Sequence, residues 1–432
     1  MLQQARLIEH GPAFFEHTSL SIKDVRKTSL LSESHPAILQ QRGSAMDIIM
    51  ECCCGLDVHR DLVEACIIKG TLDVPNKIQE QFKTTRQDLL RMVNWLTLNE
   101  CYYIAMESTG VYWRPIYEVI EKHSPRYDCM MVVNAHHMRN LPGRKSDVKD
   151  AEWIATLMRH GLLEPSFVPD RVIRDIREFS RLRKTIVKEK CRHANHLEKF
   201  LQTHGFKLSS VLSDILCVSG RKLLNTLAQN GKLEADDVLK AVRGKTKYSK
   251  DDIAVAVCGA ITPAEQTLLQ LLLRRIDDDE QYLHTVAQQM EELFAPFASQ
   301  IDIVDSIPGI DKLTAMTVLS EISAVPQDSF PSFGHLCSWA GLTPRNDESA
   351  GKVKSRKIMP GNQYIKTILC QAAWGAVKVR NSCFSKWFWS HQGHIGQKKA
   401  IIAVSRKLLK MIYILLEKGQ YYDPNYAVKT TE

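Results

Sequence analysis

The stretch Ile48 to Arg60, IIMECCCGLDVHR, is an apolar, Cys-rich run that ends on a single carboxylate, Asp57. A second apolar run, Leu62–Ile68 (LVEACII), follows after one residue. Two short apolar runs split by a charged turn read as adjacent buried strands of one sheet. An Asp inside such a strand has to be hydrogen-bonded, paired or bound to a cation, because burying an unpartnered carboxylate is costly. The alternative is an Asp at a strand end, capping the turn Asp57-Val58-His59. The other carboxylates of the chain bear on the choice.

Working outward, Lys77–Thr84 (KIQEQFKT) reads as a third strand. Arg86–Leu98 reads as a helix, with Leu89, Leu90, Val93, Trp95 and Leu96 at helical spacing. Cys101–Glu107 is a short buried strand broken by Ser108-Thr109-Gly110, and Val111–Lys122 an amphipathic helix. Tyr127–Val133 is another strand; a loop, His136–Arg144, leads to a helix from about Asp147 to His160. Three strands, helix, strand, helix, strand, helix is the order of a ribonuclease-H-like (RuvC-like) α/β domain. In that sheet the first strand lies beside the fourth, so Asp57 and Glu107 face one another. Asp147 and Asp150, three residues apart, share a helix face. Four converging carboxylates repel unless hard cations sit among them, and two Mg²⁺ ions suit phosphodiester chemistry. Singly, each residue has a plainer role: Glu107 ends its strand in solvent, and Asp147 caps its helix.

At 432 residues the chain calls for two to four domains. Its 44% hydrophobic and 25% charged content is that of a soluble globular protein. The twelve cysteines show neither a CxxC pair nor a disulfide spacing, which points to reduced thiols in a cytoplasmic protein. Strand alternation sends Cys52, Cys53 and Cys54 to opposite faces, against a metal cluster. No apolar run is long enough to cross a bilayer. Residues 1–45 lack a signal-peptide core and read as a poorly ordered extension. Net charge is +8, but 14 Lys/Arg against two acids fall between Gly341 and Lys410. Basic charge gathered in one region is what nucleic-acid binding requires.

The rest of the chain reads as all-α. Val172, Ile176, Phe179, Leu182 and Ile186 form one helical stripe. Leu269, Leu272, Ile276, Asp279, Leu283, Val286, Met290 and Leu293 form another. Two such helices suit a coiled-coil hairpin or a dimer seam. The acidic run Asp277–Glu280 reads as a solvated helix face. Ile303–Ile322 reads as helix, Pro-Gly turn, helix: either a helix-hairpin-helix-like phosphate grip or a plain connector. Gly341–Tyr364 (GLTPRNDESAGKVKSRKIMPGNQY) sets Ser349 among Arg345, Lys352, Lys354, Arg356 and Lys357. It presents either a serine nucleophile, with Ser355 as the fallback, or a solvated basic loop. Between two further helices, Phe384, Trp387, Phe388 and Trp389 are read as core rather than base-stacking rings. The expected divisions are 1–45 extension, 46–165 nuclease domain, 166–300 coiled-coil region, 301–420 serine-bearing domain and 421–432 tail.

GLDVHR at Gly55–Arg60, MESTGVYW at Met106–Trp113, SDVKDAEWIA at Ser146–Ala155 and GLTPRNDESAGKVKS at Gly341–Ser355 together resemble one family. It is the DEDD-type insertion-sequence transposases, the "IS-one-ten" family, with the wording ESAGK closest to its "IS-eleven-eleven" branch. The resemblance implies a bridge-RNA-guided recombinase acting on element-junction and target DNA. It also implies a Mg²⁺ site formed by Asp57, Glu107, Asp147 and Asp150. Ser349 falls on the serine that attacks DNA, and Glu348 stands where many relatives carry another serine. A homo-oligomer, dimer to tetramer, is implied too, the acids of one subunit acting with the serine of another. The other readings of the same residues are a metal-only, structure-selective nuclease and a catalytically silent nucleic-acid-binding protein.

Overall fold

Cys52–Val58 (β1) is paired on both sides, antiparallel to Leu62–Lys69 (β2) and parallel to Tyr103–Glu107 (β4). Asn76–Lys83 (β3) and Cys129–Val133 (β5) complete a five-stranded sheet of order β3-β2-β1-β4-β5. This is a computed structural model, describing residues 50–71, 74–108, 110–134, 150–242, 247–344, 347–349, 352–355 and 357–424; Asp147, Arg345 and Arg356 lie outside them. The chain divides into two units between Val168 and Pro169.

In the first unit, strand alternation builds a layer on each face of the sheet. Cys54, Leu56 and Val58 point to one face. There they meet Leu89, Met92 and Leu96 of Arg86–Leu98 (α1) and Ile116 and Ile120 of Trp113–His123 (α2). Thr85 starts α1 by accepting the Asp88 N–H. Cys53, Gly55 and Asp57 point to the other face, which Asp150–Arg159 (α3) covers with Ala151, Ile154, Ala155 and Met158. Cys53 and Cys54 thus enter different layers, and among the described residues all twelve cysteines are unpaired. Burial raises both thiols, Cys53 to about 12.

The second unit is mostly helical. Arg171–Thr203 (α4) runs antiparallel to Pro263–Phe294 (α5), as the pairs His204–Glu265 (3.2 Å), His193–Asp279 (2.6 Å) and Lys190–Glu280 (2.8 Å) show. The α4 seam departs from the sequence reading. Ile173, Ile176, Ser180 and Ile186 are buried while Val172 and Leu182 are exposed, because the first turns of α4 face Lys312–Ile322 (α7).

The acidic run of α5 is a solvated face at Asp277, Asp278 and Glu280, with Asp279 the exception. Successive residues rotate about 100° around a helix, so four in a row cannot share one side. Asp279 is buried against His193, Asp277 pairs with Arg221, and Glu280 pairs with Lys190 and Arg221.

Ala298–Asp305 (α6) and α7 do form a helical hairpin around Pro308-Gly309. Its turn packs at Gly309 against the backbone of a neighbouring helix. A Cβ at Gly309 would lie 2.2 Å from the backbone nitrogen of Ala376, at the end of Gln363–Ala376 (α8), and φ there is +86°. Asp311 caps α7 through the Thr314 N–H at 2.8 Å. Both contacts are internal to the fold, as the connector reading expects.

Phe384 and Phe388 of Cys383–Ile395 (α9) are core, packed beside Gln397–Lys418 (α10). Trp387 stacks on His391 under Lys407, and only Trp389 of the four rings is strongly exposed, at 63%.

Candidate active site

The parallel register Gly55↔Ala105 and Leu56↔Met106, carried one residue further, sets Asp57 of β1 beside Glu107 of β4. Alternation places both on the face that α3 covers. What brings the third acid there is Gly55. A Cβ at that position would lie 2.2 Å from the Ala151 carbonyl oxygen and 2.4 Å from the Ala155 nitrogen, so α3 touches the strand backbone itself. Asp150, the first residue of α3, is thereby held near Asp57, two residues beyond the contact.

Asp57 is 8% exposed, and its carboxyl sits above the ordinary carboxylate range. Burial is the main cause. His59, with Nε2 3.2 Å from Asp57 Oδ2, pulls the other way, and the charges of Asp150, Glu107 and Glu64 push upward again. Glu64 of β2 is the register partner of Asp57, and the Gln81 amide donates to it at 3.0 Å. The sequence reading passed over Glu64, a polar residue inside the run LVEACII that was visible from the start.

These are hard oxygen donors crowded together, with the His59 imidazole beside Asp57, the electrostatic situation a divalent cation relieves. Among the described residues, however, no three His, Cys, Asp or Glu side chains close around a single ion. Asp57, Glu107 and Asp150 are gathered at one end of the sheet, and Asp147 falls outside the described residues.

The basic segment is a hairpin in the second unit. Asp347–Ser349 (β6) pairs with Lys352–Ser355 (β7), Ser349 opposite Lys352, with an irregularity between Asp347 and Glu348. Ser349, Lys352 and Lys354 are placed by their backbone only, and Lys357 is exposed. Ser355 is occupied in the turn, its hydroxyl accepting the Lys357 N–H at 3.2 Å.

Comparison with known proteins bears on both regions. Residues 54–205 match the DEDD_Tnp_IS110 transposase family, and residues 301–388 match the family described as "Transposase IS116/IS110/IS902 family". The transposase for insertion sequence element IS1111A of Coxiella burnetii is 23% identical over 301 residues, 67% of this chain and 72% of that protein. A pilin gene-inverting protein of Moraxella bovis is 30% identical over 124 residues, 28% of this chain and 38% of its own length. An uncharacterised 43.6 kDa IS110 protein of Streptomyces coelicolor is 23% identical over 124 residues, 28% of this chain and 30% of that protein. Among the described residues no helix is long and apolar enough to cross a membrane.

Proposed function

We propose that this chain, which belongs through both of its matched regions to the IS110 family of transposases, cuts and rejoins DNA by a covalent serine route in the cytoplasm. The observation that carries the reading is the gathering of Asp57, Glu107 and Asp150 at one end of the sheet, enforced by the Gly55 contact. The sheet order and the helix across its face fit a ribonuclease-H-like nuclease.

In this reading Asp57, Glu107, Asp147 and Asp150 hold Mg²⁺, which when bound supplies charge stabilisation at the phosphate and favours a deprotonated nucleophile. Ser349 is the nucleophile. Its Oγ–P bond forms as the bond from phosphorus to the leaving deoxyribose oxygen breaks. The hydroxyl proton passes to solvent or a neighbouring base, and the leaving oxygen takes one up. Arg345, Lys352, Lys354, Arg356 and Lys357 grip the DNA backbone and offset charge at the attacked phosphate. Guidance by a bridge RNA and assembly as a homo-oligomer, dimer to tetramer, rest on the family resemblance. The "pilin gene-inverting" name of one relative adds that DNA inversion is within reach of this architecture.

The test is a protein–DNA adduct that survives denaturation. Wild type should form it with Mg²⁺ present, and Ser349→Ala and Asp57→Ala should not. A Ser349→Ala chain that still cleaves DNA would replace this reading with the metal-only nuclease.

A further inference from the structure

The basic hairpin leaves the helical unit at Gly341 and rejoins it at Gly361, and those two glycines lie back to back. A Cβ at Gly361 would be 2.4 Å from the Gly341 nitrogen, and one at Gly341 would be 2.7 Å from the Met359 carbonyl oxygen. Met359 N–H donates to the Thr343 carbonyl at 3.1 Å, and a bridge joins Pro344 to Ile358. The root of the hairpin is therefore a clasp of closely packed backbone, to which Lys366 adds a bond from its Nζ to the Met359 carbonyl at 3.3 Å.

Next in the chain, Asn362 makes two connections at once. Its Oδ1 caps α8 by accepting the N–H groups of Tyr364 (2.8 Å) and Ile365 (3.3 Å). Its Nδ2 donates to Oε2 of Glu321 at 2.7 Å. Glu321 is 1% exposed near the end of α7. Arg181 of α4 forks onto its two oxygens at 2.9 and 3.0 Å, and Arg177 donates to the carbonyls of Ser320 and Glu321. Arg181 and Lys184 lie over the Tyr364 ring at 4.3 and 4.4 Å.

A buried carboxylate with a two-pronged Arg and an amide donor is satisfied, but such a group is weak evidence of stability for its own sake. What it does uniquely is tie three helices to the residue that follows the hairpin. We propose that Glu321 and Asn362 are positioning residues for Ser349. They fix the root of its hairpin to α4 and α7, so that the serine is delivered in one place. This rests on the serine-attack reading. The physical ground is that attack rates fall steeply when a nucleophile is misplaced by even about 1 Å.

The experiment uses the full chain, the end-to-end-joined DNA of the element that encodes it, and RNA transcribed from that element's flanks. Asn362→Ser keeps a capping oxygen but cannot reach Glu321, and Glu321→Gln keeps the shape without the charge. Hydrogen–deuterium exchange over residues 341–361 should quicken at least ~10-fold in Asn362→Ser, while amides of α5 stay unchanged. Adduct formation at saturating DNA should slow at least ~10-fold in both variants, with half-saturating DNA shifted less than ~2-fold. Unchanged exchange in Asn362→Ser overturns the proposal. So does faster exchange with adduct formation at the wild-type rate, since the network then only stabilises. A wild-type chain that cleaves without any adduct fails the serine reading itself, a different result from variants that match an adduct-forming wild type.

Discussion

Gly55 of β1 and Ala151 of α3 meet backbone to backbone, with no room for a methyl group between them. That contact decides where Asp150 stands, since Asp150 opens the helix whose second residue is Ala151. Gly55→Ala should therefore destabilise the first unit by about 2 kcal/mol or more, through forced displacement of α3. It should also reduce adduct yield at temperatures where the variant remains folded. Gly393→Ala is the control: nothing lies within 4 Å of its Cβ position, and it sits inside α9. It should leave stability equal or raise it by up to about 1 kcal/mol. Thermal unfolding and denaturant titration measure both, and equal melting of Gly55→Ala and wild type would contradict the close contact.

Asp57 carries a pH signature. Its folded-state pKa is raised above the ordinary 3.8, chiefly by burial, so the folded chain holds that proton more tightly than the unfolded chain. The resulting stabilisation is fully present below the unfolded pKa and is lost as pH rises through the folded one. Near neutrality the ionised group is therefore a burden. Asp57→Asn should melt higher at pH 8 by a few degrees, about 1 kcal/mol, with a smaller gain at pH 5. It should be inactive at both. Added Mg²⁺ should raise the melting temperature of wild type and leave Asp57→Asn where it was. A variant that melts lower than wild type at pH 8 would show that the carboxylate is stabilising as it stands.

Asp279 and His193 face each other across the α4–α5 seam with side chains 8% and 14% exposed. Removing one partner strands the other in a poorly hydrated place, so Asp279→Ala should cost about 3 kcal/mol. Replacing both, Asp279→Leu with His193→Leu, should be neutral or stabilising, because two apolar side chains extend the seam. Denaturant titration of the single and double variants gives the coupling. A double variant as weak as Asp279→Ala would mean that the polar pair sets the register of the two helices.

Gly309 tests the reading of the helical hairpin. Its φ of +86° and the Ala376 backbone at 2.2 Å from a Cβ both oppose a side chain. Gly309→Ala should cost about 3 kcal/mol or more of stability. Lys312, beside the turn, is exposed and paired with Glu291 at 3.0 Å. Lys312→Ala should change DNA affinity less than ~2-fold and leave its salt dependence alone. A salt slope lowered by about 1 would restore a phosphate contact at this turn.

Much of the first unit was legible in the residues. Apolar runs of strand length and helical spacing at Leu89, Val93 and Leu96 are local signals. The elements appear where those signals stand, with β1 beside β4 as their order implies. Pairing Asp57 with Glu107 followed from the expected strand order, which sets the first strand beside the fourth. The basic concentration around Ser349 was equally plain from composition.

Other features depended on what lies across an interface, about which a local pattern is silent. Gly55 stands inside an apolar run of strand length, and nothing in that run tells that α3 rests on its backbone. Asp279 looked solvated because its neighbours are acidic, yet helical rotation turns it alone into the seam. Pro308-Gly309 reads as a turn between helices, and only the tertiary structure shows that Gly309 rests on the backbone of α8. Glu321 carries no local signal in LSEI, whereas Arg181 and Asn362, both distant in the chain, make it a junction. The residues by themselves determined the elements and the chemistry available, since those follow from spacing and side-chain type. Tertiary structure alone decided which acids are buried and which glycines are contacts, because burial and close approach belong to pairs of segments rather than to either one.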